Sequence, residues 1–194
     1  MTAYDSASFP MIPRQRYRCI LADPPWFFSA GTKGRPQHYP RLRDHELMRM
    51  PIQTLAHPDG CWLFMWCTSP KVQSAFHVAH AWGFKFSGRG FIWIKTLQAN
   101  GDMPRLHTAQ GFTTRKNAED CWLFRRGAPK RNAKDIHEVI ISPVRENSRK
   151  PDEQYERIRR YCSGPRLELF GRQAWKGWDV WGNEVGKFDQ KEAA

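Results

Sequence analysis

A short apolar stretch of the sequence runs directly into an acid, two prolines and a tryptophan: Asp23, Pro24, Pro25 and Trp26. The residues before them, Cys19–Ala22, predict a buried strand, and two prolines continue neither a helix nor a paired strand. Asp23 is therefore expected at a strand end, beside the rigid carbonyl of Pro24. The prolines could simply end the strand, but that interpretation leaves the acid and an exposed tryptophan unexplained.

This combination is suited to activating an amino group on a nucleobase, whose nitrogen lone pair is delocalised into the ring. The Asp23 carboxylate would accept one amino N–H and the Pro24 carbonyl the other, which stabilises the positive charge that develops during attack. Trp26 would offer a flat face to an extruded base, a stacking interaction of about 1–3 kcal/mol. No covalent intermediate is needed, because the site has only to position the reactants for in-line transfer.

The basic residues of this 194-residue chain exceed the acidic residues by 12, which indicates a polyanionic partner. Nucleic acid is the expected partner, and a merely soluble basic surface is the alternative. Many positive charges fall in connections between apolar segments, where they can bind phosphates. The predicted nucleic-acid contacts are Lys33, Arg35, Arg41, Arg43, Arg115, Lys116, Lys130, Arg131 and Lys134.

The chain length suits a single domain, with residues 1–16 as an unassigned N-terminal arm and 187–194 as a C-terminal tail. No apolar run is long enough to span a membrane, and the N-terminus lacks a secretory signal pattern. The five cysteines form no Cys-x-x-Cys pair, so we expect reduced core thiols and no metal site. A cytoplasmic protein is predicted.

Continuous apolar runs without alternation predict strands that are covered on both faces. These runs are Cys19–Ala22, Cys61–Trp66, Phe91–Lys95, Cys121–Phe124, Glu138–Ser142 and Leu167–Phe170. Helices are expected from Ser69 to Gly83 and from Pro151 to Gly164. The fold class is therefore α/β, with a mostly parallel sheet and helices on both faces. Ligands bind such sheets outside the carboxyl ends of the strands, where Asp23 would lie.

Five stretches, ADPPW, WIKT, VRENSRKPDE, LELFGR and WGNE, occur in this order between residues 17 and 186. Together they resemble the family of the messenger-RNA adenine-N(6) methyltransferase catalytic subunit and its bacterial and phage relatives. The resemblance implies a Rossmann-like class I methyltransferase fold in which the catalytic motif precedes the donor-binding motif. It also implies S-adenosylmethionine as the cofactor, and a prokaryotic or phage-infected cell as the setting.

The resemblance implies catalytic roles for Asp23, Pro24, Pro25, Trp26 and Tyr39, where Tyr39 matches a tyrosine in a gate over the acceptor base. The donor-binding residues that it implies are Asp23, Lys150, Glu168, Arg172, Asn183 and Glu184. Among these, Lys150 matches a lysine at the amino-acid end of the donor, and Glu168 matches an acid that accepts from ribose hydroxyls. Arg172, Asn183 and Glu184 match residues that contact the nucleoside in the family.

The sequence departs from the family at two places. Glu184 stands where the family has glutamine, and Gln173-Ala174-Trp175 stands where the family has Pro-His-Asn. The contacts that Pro-His-Asn makes need a replacement, and stacking by Trp175 is one. Simpler interpretations remain open: Lys150 could only begin a helix, and Arg172 could be an exposed loop charge. Trp175, Trp178 and Trp181 could form a packed cluster with at least two members in the core. Lys95 is expected at a strand end, with a substrate contact as the alternative.

The sequence thus predicts methyl transfer to the exocyclic amino group of adenine in DNA. DNA is favoured because the chain carries no appended RNA-binding module. The alternatives are the same reaction on RNA adenine, methylation of the cytosine amino group, and a non-catalytic nucleic-acid-binding partner subunit. Relatives often work as pairs of like folds, so a homodimer or heterodimer is also expected.

Overall fold

The computed structural model describes residues 15–28, 41–97, 105–109 and 113–189. Its strands are β1 (Cys19–Ala22), β2 (Gly60–Cys67), β3 (Lys85–Thr96), β4 (Ala118–Gly127), β5 (Val139–Pro143), β6 (Arg166–Leu169) and β7 (Asp179–Trp181). Its helices are α1 (Asp44–Met48), α2 (Val72–Ala81) and α3 (Glu153–Tyr161).

These seven strands of the described residues form one sheet in the order β5-β3-β4-β2-β1-β6-β7. β1 pairs in parallel with both β2 and β6, as β6 does with β7 and β3 with β5. β4 is antiparallel to its neighbours β2 and β3, and therefore runs against the direction of the other strands. The prediction of a mostly parallel α/β sheet is confirmed.

The carboxyl ends of β1, β2 and β6 meet at one edge of the sheet, because Ala22 lies opposite both Met65 and Leu169. All residues of β1 and β2 are buried, which explains why these segments are apolar without alternation. The residue that follows β1 therefore lies at the carboxyl edge of the sheet, where open α/β sheets bind ligands.

Helices cover both faces of the sheet, as predicted. The buried side of α2 packs against one face and consists of Ala75, Val78 and Ala79. On the other face, Ile158 of α3 lies in a second core cluster. This face is also joined by a buried hydrogen bond, since the Trp66 indole N–H donates to Gln154 Oε1 at 2.7 Å.

Three elements differ from the prediction. β3 begins at Lys85 instead of Phe91, because its first part is exposed and carries no continuous apolar run. α1 and β7 were not predicted at all. α1 buries one residue, Leu47, and β7 has only three residues, so neither produces a pattern long enough to recognise.

The five cysteines are free and buried, which confirms the prediction of reduced core thiols. Among the described residues, no helix has both the length and the apolar character needed to cross a membrane. The same residues contain no cluster of three or more His, Cys, Asp or Glu side chains that could hold a metal ion.

Candidate active site

The turn after β1 fixes the directions of an acid and a carbonyl. Asp23 follows the last residue of β1, as predicted, and its backbone N–H donates to the Leu169 carbonyl at the end of β6 at 3.4 Å. The Pro24 carbonyl accepts the backbone N–H of Trp26 at 2.8 Å, and both prolines are buried. A carbonyl oxygen has two lone pairs, so Pro24 keeps the capacity to accept a second hydrogen bond.

A row of four alternating charges lies beside this turn. Lys150 Nζ is 2.6 Å from Asp23 Oδ2 and 3.1 Å from Glu119 Oε1. The other oxygen of Glu119 is 2.6 Å from Lys95 Nζ. The side chains of Lys150 and Glu119 are 6% and 9% exposed, so both are almost completely removed from water. Because two cations alternate with two carboxylates, the buried charges compensate each other.

The charge network sets the protonation states of its members. Burial alone would raise the pKa of Glu119, but the Lys150 and Lys95 ammonium groups outweigh burial and lower this pKa to about 2. Burial would lower the pKa of Lys150, but the neighbouring Asp23 and Glu119 carboxylates raise it above its ordinary value. Burial raises the pKa of Asp23, and the charge of Lys150 opposes that shift. Lys150 is thus protonated and Glu119 ionised at neutral pH.

Glu119 is a site residue that the sequence analysis missed. It lies in β4 opposite Trp93 of β3, and this register brings its carboxylate to Lys95. The sequence offered one signal for this residue, an acid shortly before the apolar run Cys121–Phe124. An ordinary strand start shows the same pattern. Lys95 lies near the end of β3 and within 4.8 Å of the Trp93 ring centre, so its expected position at a strand end is confirmed.

Two adjoining cavities lie beside Asp23, and each has a volume of about 30 Å³. Their walls share Asp23, Ser148, Phe170 and Arg172. The structure gathers all the predicted donor-binding residues around one or both cavities: Asp23, Lys150, Glu168, Arg172, Asn183 and Glu184.

The wall shared by the cavities contains two strained backbone positions. Ser148 has a φ of 61° and Phe170 a φ of 64°, in the left-handed region that non-glycine residues avoid. Such a conformation costs about 1–3 kcal/mol, and it persists where the surrounding structure enforces it. Strain of this kind concentrates at functional sites, which supports a binding role for the shared wall.

Glu168 lies in β6 with one carboxylate oxygen paired and the other unpaired. Oε1 accepts the hydroxyl of Tyr155 at 2.9 Å, whereas Oε2 is buried without a hydrogen-bond partner. Burial raises the pKa of Glu168 to about 8, although the hydrogen bond from Tyr155 acts in the opposite direction. A buried acceptor that lacks a partner costs about 1–3 kcal/mol, so this atom is available for a ligand that can donate a hydrogen bond.

Trp26 is not the exposed stacking surface that the sequence suggested. Its side chain is 5% exposed and belongs to the core cluster that contains Ile20 and Leu63. Its indole N–H donates to the Trp66 carbonyl at the end of β2 at 3.2 Å. The expectation of an open stacking face is therefore wrong, because the turn directs this indole into the core. Trp26 instead fixes the turn against β2.

Two of the three C-terminal tryptophans pack on one ring, whereas Trp181 lies apart from them in the core cluster that contains Phe170, so the predicted cluster of three is only partly found. Trp175 stacks on Tyr155 with ring centres 4.2 Å apart, and Trp178 meets the same ring edge-on at 5.5 Å. Trp181 is buried in β7, whereas Trp175 and Trp178 are only partly buried, so one core member is found instead of two. Among the described residues, the stacking partner of Trp175 is Tyr155 of the protein itself.

The predicted tail from residue 187 is corrected at its start, because Phe188 is 5% exposed and lines the first cavity. Three predicted site residues, Lys33, Arg35 and Tyr39, lie outside the described residues.

The predicted basic contacts divide between opposite edges of the sheet. Arg41 and Arg43 flank Leu42, which pairs with the turn after β1, and Arg115 and Lys116 immediately precede β4. β4 starts at the carboxyl edge, where Asp120 pairs with Cys67, and ends where Gly127 pairs with Gly60. The third group follows β4 at that far edge, and the strand from Asp120 to Gly127 spans about 23 Å at about 3.3 Å per residue. It consists of Lys130, Arg131 and Lys134.

The acid-Pro-Pro turn and both cavities lie at the carboxyl edge of a mostly parallel α/β sheet, where Rossmann-like folds bind their ligands. The family model described as MT-A70 matches residues 17–184, so this chain belongs to the MT-A70 family. The resemblance found in the sequence and the implied fold are both confirmed.

Individual relatives differ in how much of their length the chain spans. It is 26% identical to the Type II methyltransferase M.MunI of Mycoplasma sp, over 91% of this chain and 81% of that protein. It is 31% identical to the N(6)-adenosine-methyltransferase MT-A70-like protein of Arabidopsis thaliana, over 93% of this chain and 25% of that protein. It is 30% identical to the human N(6)-adenosine-methyltransferase catalytic subunit METTL3, over 88% of this chain and 28% of that protein.

MT-A70 methyltransferases use S-adenosylmethionine as methyl donor, and the cavities beside Asp23 are chemically suited to this molecule. The unpaired Oε2 of Glu168 can donate to a sugar hydroxyl when the acid is protonated and accept from one when it is ionised. The side chains of Asn183 and Glu184 add polar groups to the second cavity.

The raised pKa of Glu168 predicts a specific pH dependence of stability. The folded pKa of about 8 exceeds the ordinary value of about 4.3, so the folded state favours the protonated acid. The resulting stabilisation is complete below the ordinary pKa and is lost as the pH rises towards 8. Glu168→Gln cannot titrate. The melting temperature of the variant minus that of the wild type should therefore increase from about pH 5 to about pH 8. Above pH 8 this difference should stay constant.

Melting temperatures across this pH range, followed by circular dichroism, measure the effect. Glu156→Gln, an exposed substitution on α3, serves as the control for loss of a carboxylate. A constant difference between wild type and Glu168→Gln at all pH values would contradict the raised pKa.

Proposed function

We propose that this chain transfers a methyl group from S-adenosylmethionine to the exocyclic N6 amino group of adenine in DNA. The observation that carries the proposal is the position of Asp23. Its carboxylate lies at the carboxyl end of a central strand, beside a fixed carbonyl, and lines both cavities that gather the expected donor-binding residues. Membership of the MT-A70 family supports the same chemistry.

Asp23 and Pro24 act together on the amino group. The carboxylate has acceptor capacity beyond its bond with Lys150, and the Pro24 carbonyl has a lone pair beyond its bond with Trp26. Each accepts one N–H of the adenine amine, which restores electron density to nitrogen. As the nitrogen bonds to the methyl carbon and the carbon–sulfur bond of the donor breaks, both oxygens stabilise the positive charge on the nitrogen, which then loses one proton to water.

Lys150 and Glu119 act as positioning residues for Asp23. The Lys150 ammonium holds one oxygen of Asp23 at 2.6 Å and favours the ionised carboxylate, which the reaction requires. Glu119 in turn holds Lys150 at 3.1 Å, so the lysine is anchored from β4 as well as from β1. This arrangement fixes the carboxylate before the substrate arrives, and such preorganisation is the main source of electrostatic catalysis.

S-adenosylmethionine supplies, when bound, an electrophilic methyl group on a positively charged sulfur. In the proposed arrangement Glu168 accepts from its ribose hydroxyls. Arg172, Asn183 and Glu184 contact its nucleoside, and Lys150 lies near its amino-acid end. These residues place the methyl group near Asp23, because Asp23 lines the wall that the two cavities share.

The burial of Trp26 leaves the stacking of the acceptor base to another aromatic side chain. Phe27 follows the turn directly and is partly exposed, and the Arg43 guanidinium lies 5.3 Å from its ring centre. A base can stack on such a ring and on the guanidinium plane. Phe27 with Arg43 is therefore proposed as a stacking surface, together with Tyr39 as a gate.

DNA is proposed as the substrate because of how much of each relative the chain spans. It spans 81% of the Type II methyltransferase M.MunI of Mycoplasma sp, but only 25% and 28% of the plant and human N(6)-adenosine-methyltransferases. RNA is the second candidate, because the plant and human relatives with 31% and 30% identity are named N(6)-adenosine-methyltransferases. The human relative is named a catalytic subunit, which supports pairing with a like fold as a further proposal.

The proposed function predicts label transfer to adenine. Purified protein is incubated with methyl-labelled S-adenosylmethionine and either DNA or RNA oligonucleotides of the same sequence, and the nucleosides are analysed by mass spectrometry. We expect N6-methyladenine in DNA with little in RNA. The reverse result supports the second candidate, label on cytosine overturns the base assignment, and no label on either polymer overturns the enzyme assignment.

The division of the basic residues predicts unequal effects on nucleic-acid binding. Arg115→Gln with Lys116→Gln should weaken binding of an adenine-containing hexanucleotide, because both residues lie at the carboxyl edge of the sheet. Each lost phosphate contact should reduce the slope of log affinity against log salt by about 0.7 for a single strand. Lys130→Gln with Arg131→Gln is the control of equal charge, and should change binding of this short strand much less.

Both double variants are compared by fluorescence anisotropy at several salt concentrations. Equal weakening of binding by the Lys130/Arg131 variant and the Arg115/Lys116 variant would contradict the prediction. The nucleic acid would then not be confined to the carboxyl edge, and the proposed binding surface would be wrong.

A further inference from the structure

A second unpaired polar atom lies in the same cavity as the unpaired oxygen of Glu168. Arg149 Nε is buried without a hydrogen-bond partner, and the Arg149 side chain, 11% exposed, lines the first cavity. Glu168 Oε2 can only accept when ionised, whereas Arg149 Nε can only donate. One cavity thus presents two polar atoms, Arg149 Nε and Glu168 Oε2, that the protein itself leaves unsatisfied.

The other nitrogens of Arg149 are already engaged with the protein. One terminal nitrogen donates to Gln173 Oε1 at 2.8 Å, and the other lies 3.3 Å from Glu146. These contacts hold the end of the guanidinium and leave Nε as the remaining donor. An unsatisfied buried donor on a charged group is costly, so a bound ligand that accepts from it gains affinity.

Phe188 fixes the guanidinium of Arg149 from the side of the cavity. Its ring centre lies 4.9 Å from the guanidinium of Arg149 and 4.8 Å from that of Arg172. Its backbone N–H donates to the Arg172 carbonyl at 3.3 Å, and Asp189 accepts the N–H of Ala174 at 3.0 Å. The segment at the end of the described chain is thus attached to the cavity wall.

We propose that Arg149 is a donor-binding residue whose Nε–H binds the carboxylate of the amino-acid part of S-adenosylmethionine, and that Phe188 is the positioning residue that holds it there. The inference rests on the donor site of the proposed function and is independent of the nucleic acid. It extends the binding set predicted from the sequence, in which Arg149 and Phe188 do not occur.

The chemistry of the donor selects the carboxylate. S-adenosylmethionine carries a sulfonium and an ammonium, which a guanidinium repels, and hydroxyls, which are neutral. Its carboxylate is the anion, and a charge-assisted hydrogen bond to it is about twice as strong as a neutral one. Arg149 also directly precedes Lys150, so the amino-acid end would meet two adjacent cations.

Calorimetric titration without nucleic acid tests the inference. Arg149→Met is compared with the wild type for two ligands: S-adenosylhomocysteine, which has the carboxylate, and 5′-methylthioadenosine, which lacks the amino-acid part. We expect at least about tenfold weaker binding of the first and less than about twofold change for the second, because a buried charge-assisted bond is lost. Phe188→Leu should act in the same direction with a smaller effect. Arg159→Gln, an exposed substitution on α3, is the control.

Equal loss for both ligands, or no loss for either, would overturn the inference. If the wild type bound neither ligand, the proposed function would fail as well. If the wild type bound both ligands and only the expected difference in the variant were absent, the inference alone would fail. A measurement on the unaltered protein avoids any dependence on folding of the variants. The ¹⁵Nε–¹H resonance of Arg149 should shift strongly with S-adenosylhomocysteine and little with 5′-methylthioadenosine, and equal shifts would also overturn the inference.

Discussion

The buried ion pairs of Lys150 determine how this site is built. The lysine precedes α3, and it joins Asp23 at the end of β1 to Glu119 in β4, with Lys95 of β3 completing the row. Removing one member of such a buried group costs about 3–5 kcal/mol, because an uncompensated charge is left behind. The network therefore ties four segments of the chain to one geometry. That geometry places the Asp23 carboxylate beside the fixed carbonyl of Pro24.

The site combines satisfied and unsatisfied polar groups in adjacent places. Around Asp23 the charges are paired and the backbone directions are fixed, which suits a group that must be preorganised for catalysis. In the first cavity, by contrast, Glu168 Oε2 and Arg149 Nε lack partners, and the wall contains the strained residues Ser148 and Phe170. Unsatisfied groups and strain are tolerated where a ligand supplies the missing contacts. The contrast separates the proposed catalytic part of the site from the part that is proposed to bind the donor.

Sequence patterns predicted the strands around the site well because β1 and β2 are buried throughout. The apolar run Cys61–Trp66 corresponds to β2, and the run that precedes Asp23 corresponds to β1, so the position of the acid followed directly. The donor-binding residues were predicted through motifs whose order matches a family, and the fold brings them together around two cavities. Local patterns were insufficient for β7 and α1, which are too short to show a period.

Other features depend on contacts between segments far apart in the sequence. The pairing of Glu119 with Lys150 requires the register of β3 and β4, which no local pattern contains. Whether Trp26 is exposed depends on the turn that directs it towards the Trp66 carbonyl. Because β4 is antiparallel, the basic residues that follow it, Lys130, Arg131 and Lys134, lie at the far edge of the sheet. A count of charges in loops could not reveal this separation.

The central claim is that the Asp23 carboxylate polarises the amine that is methylated. It is tested most directly by the single-turnover rate of Asp23→Asn with saturating donor and oligonucleotide, measured by rapid quench. The substitution keeps the shape of the side chain and removes its charge. The account predicts a rate lower by about 10²–10³-fold, the usual loss on removal of one preorganised electrostatic group, with binding of both ligands retained. A variant that binds both ligands and reacts within about threefold of the wild-type rate would contradict it.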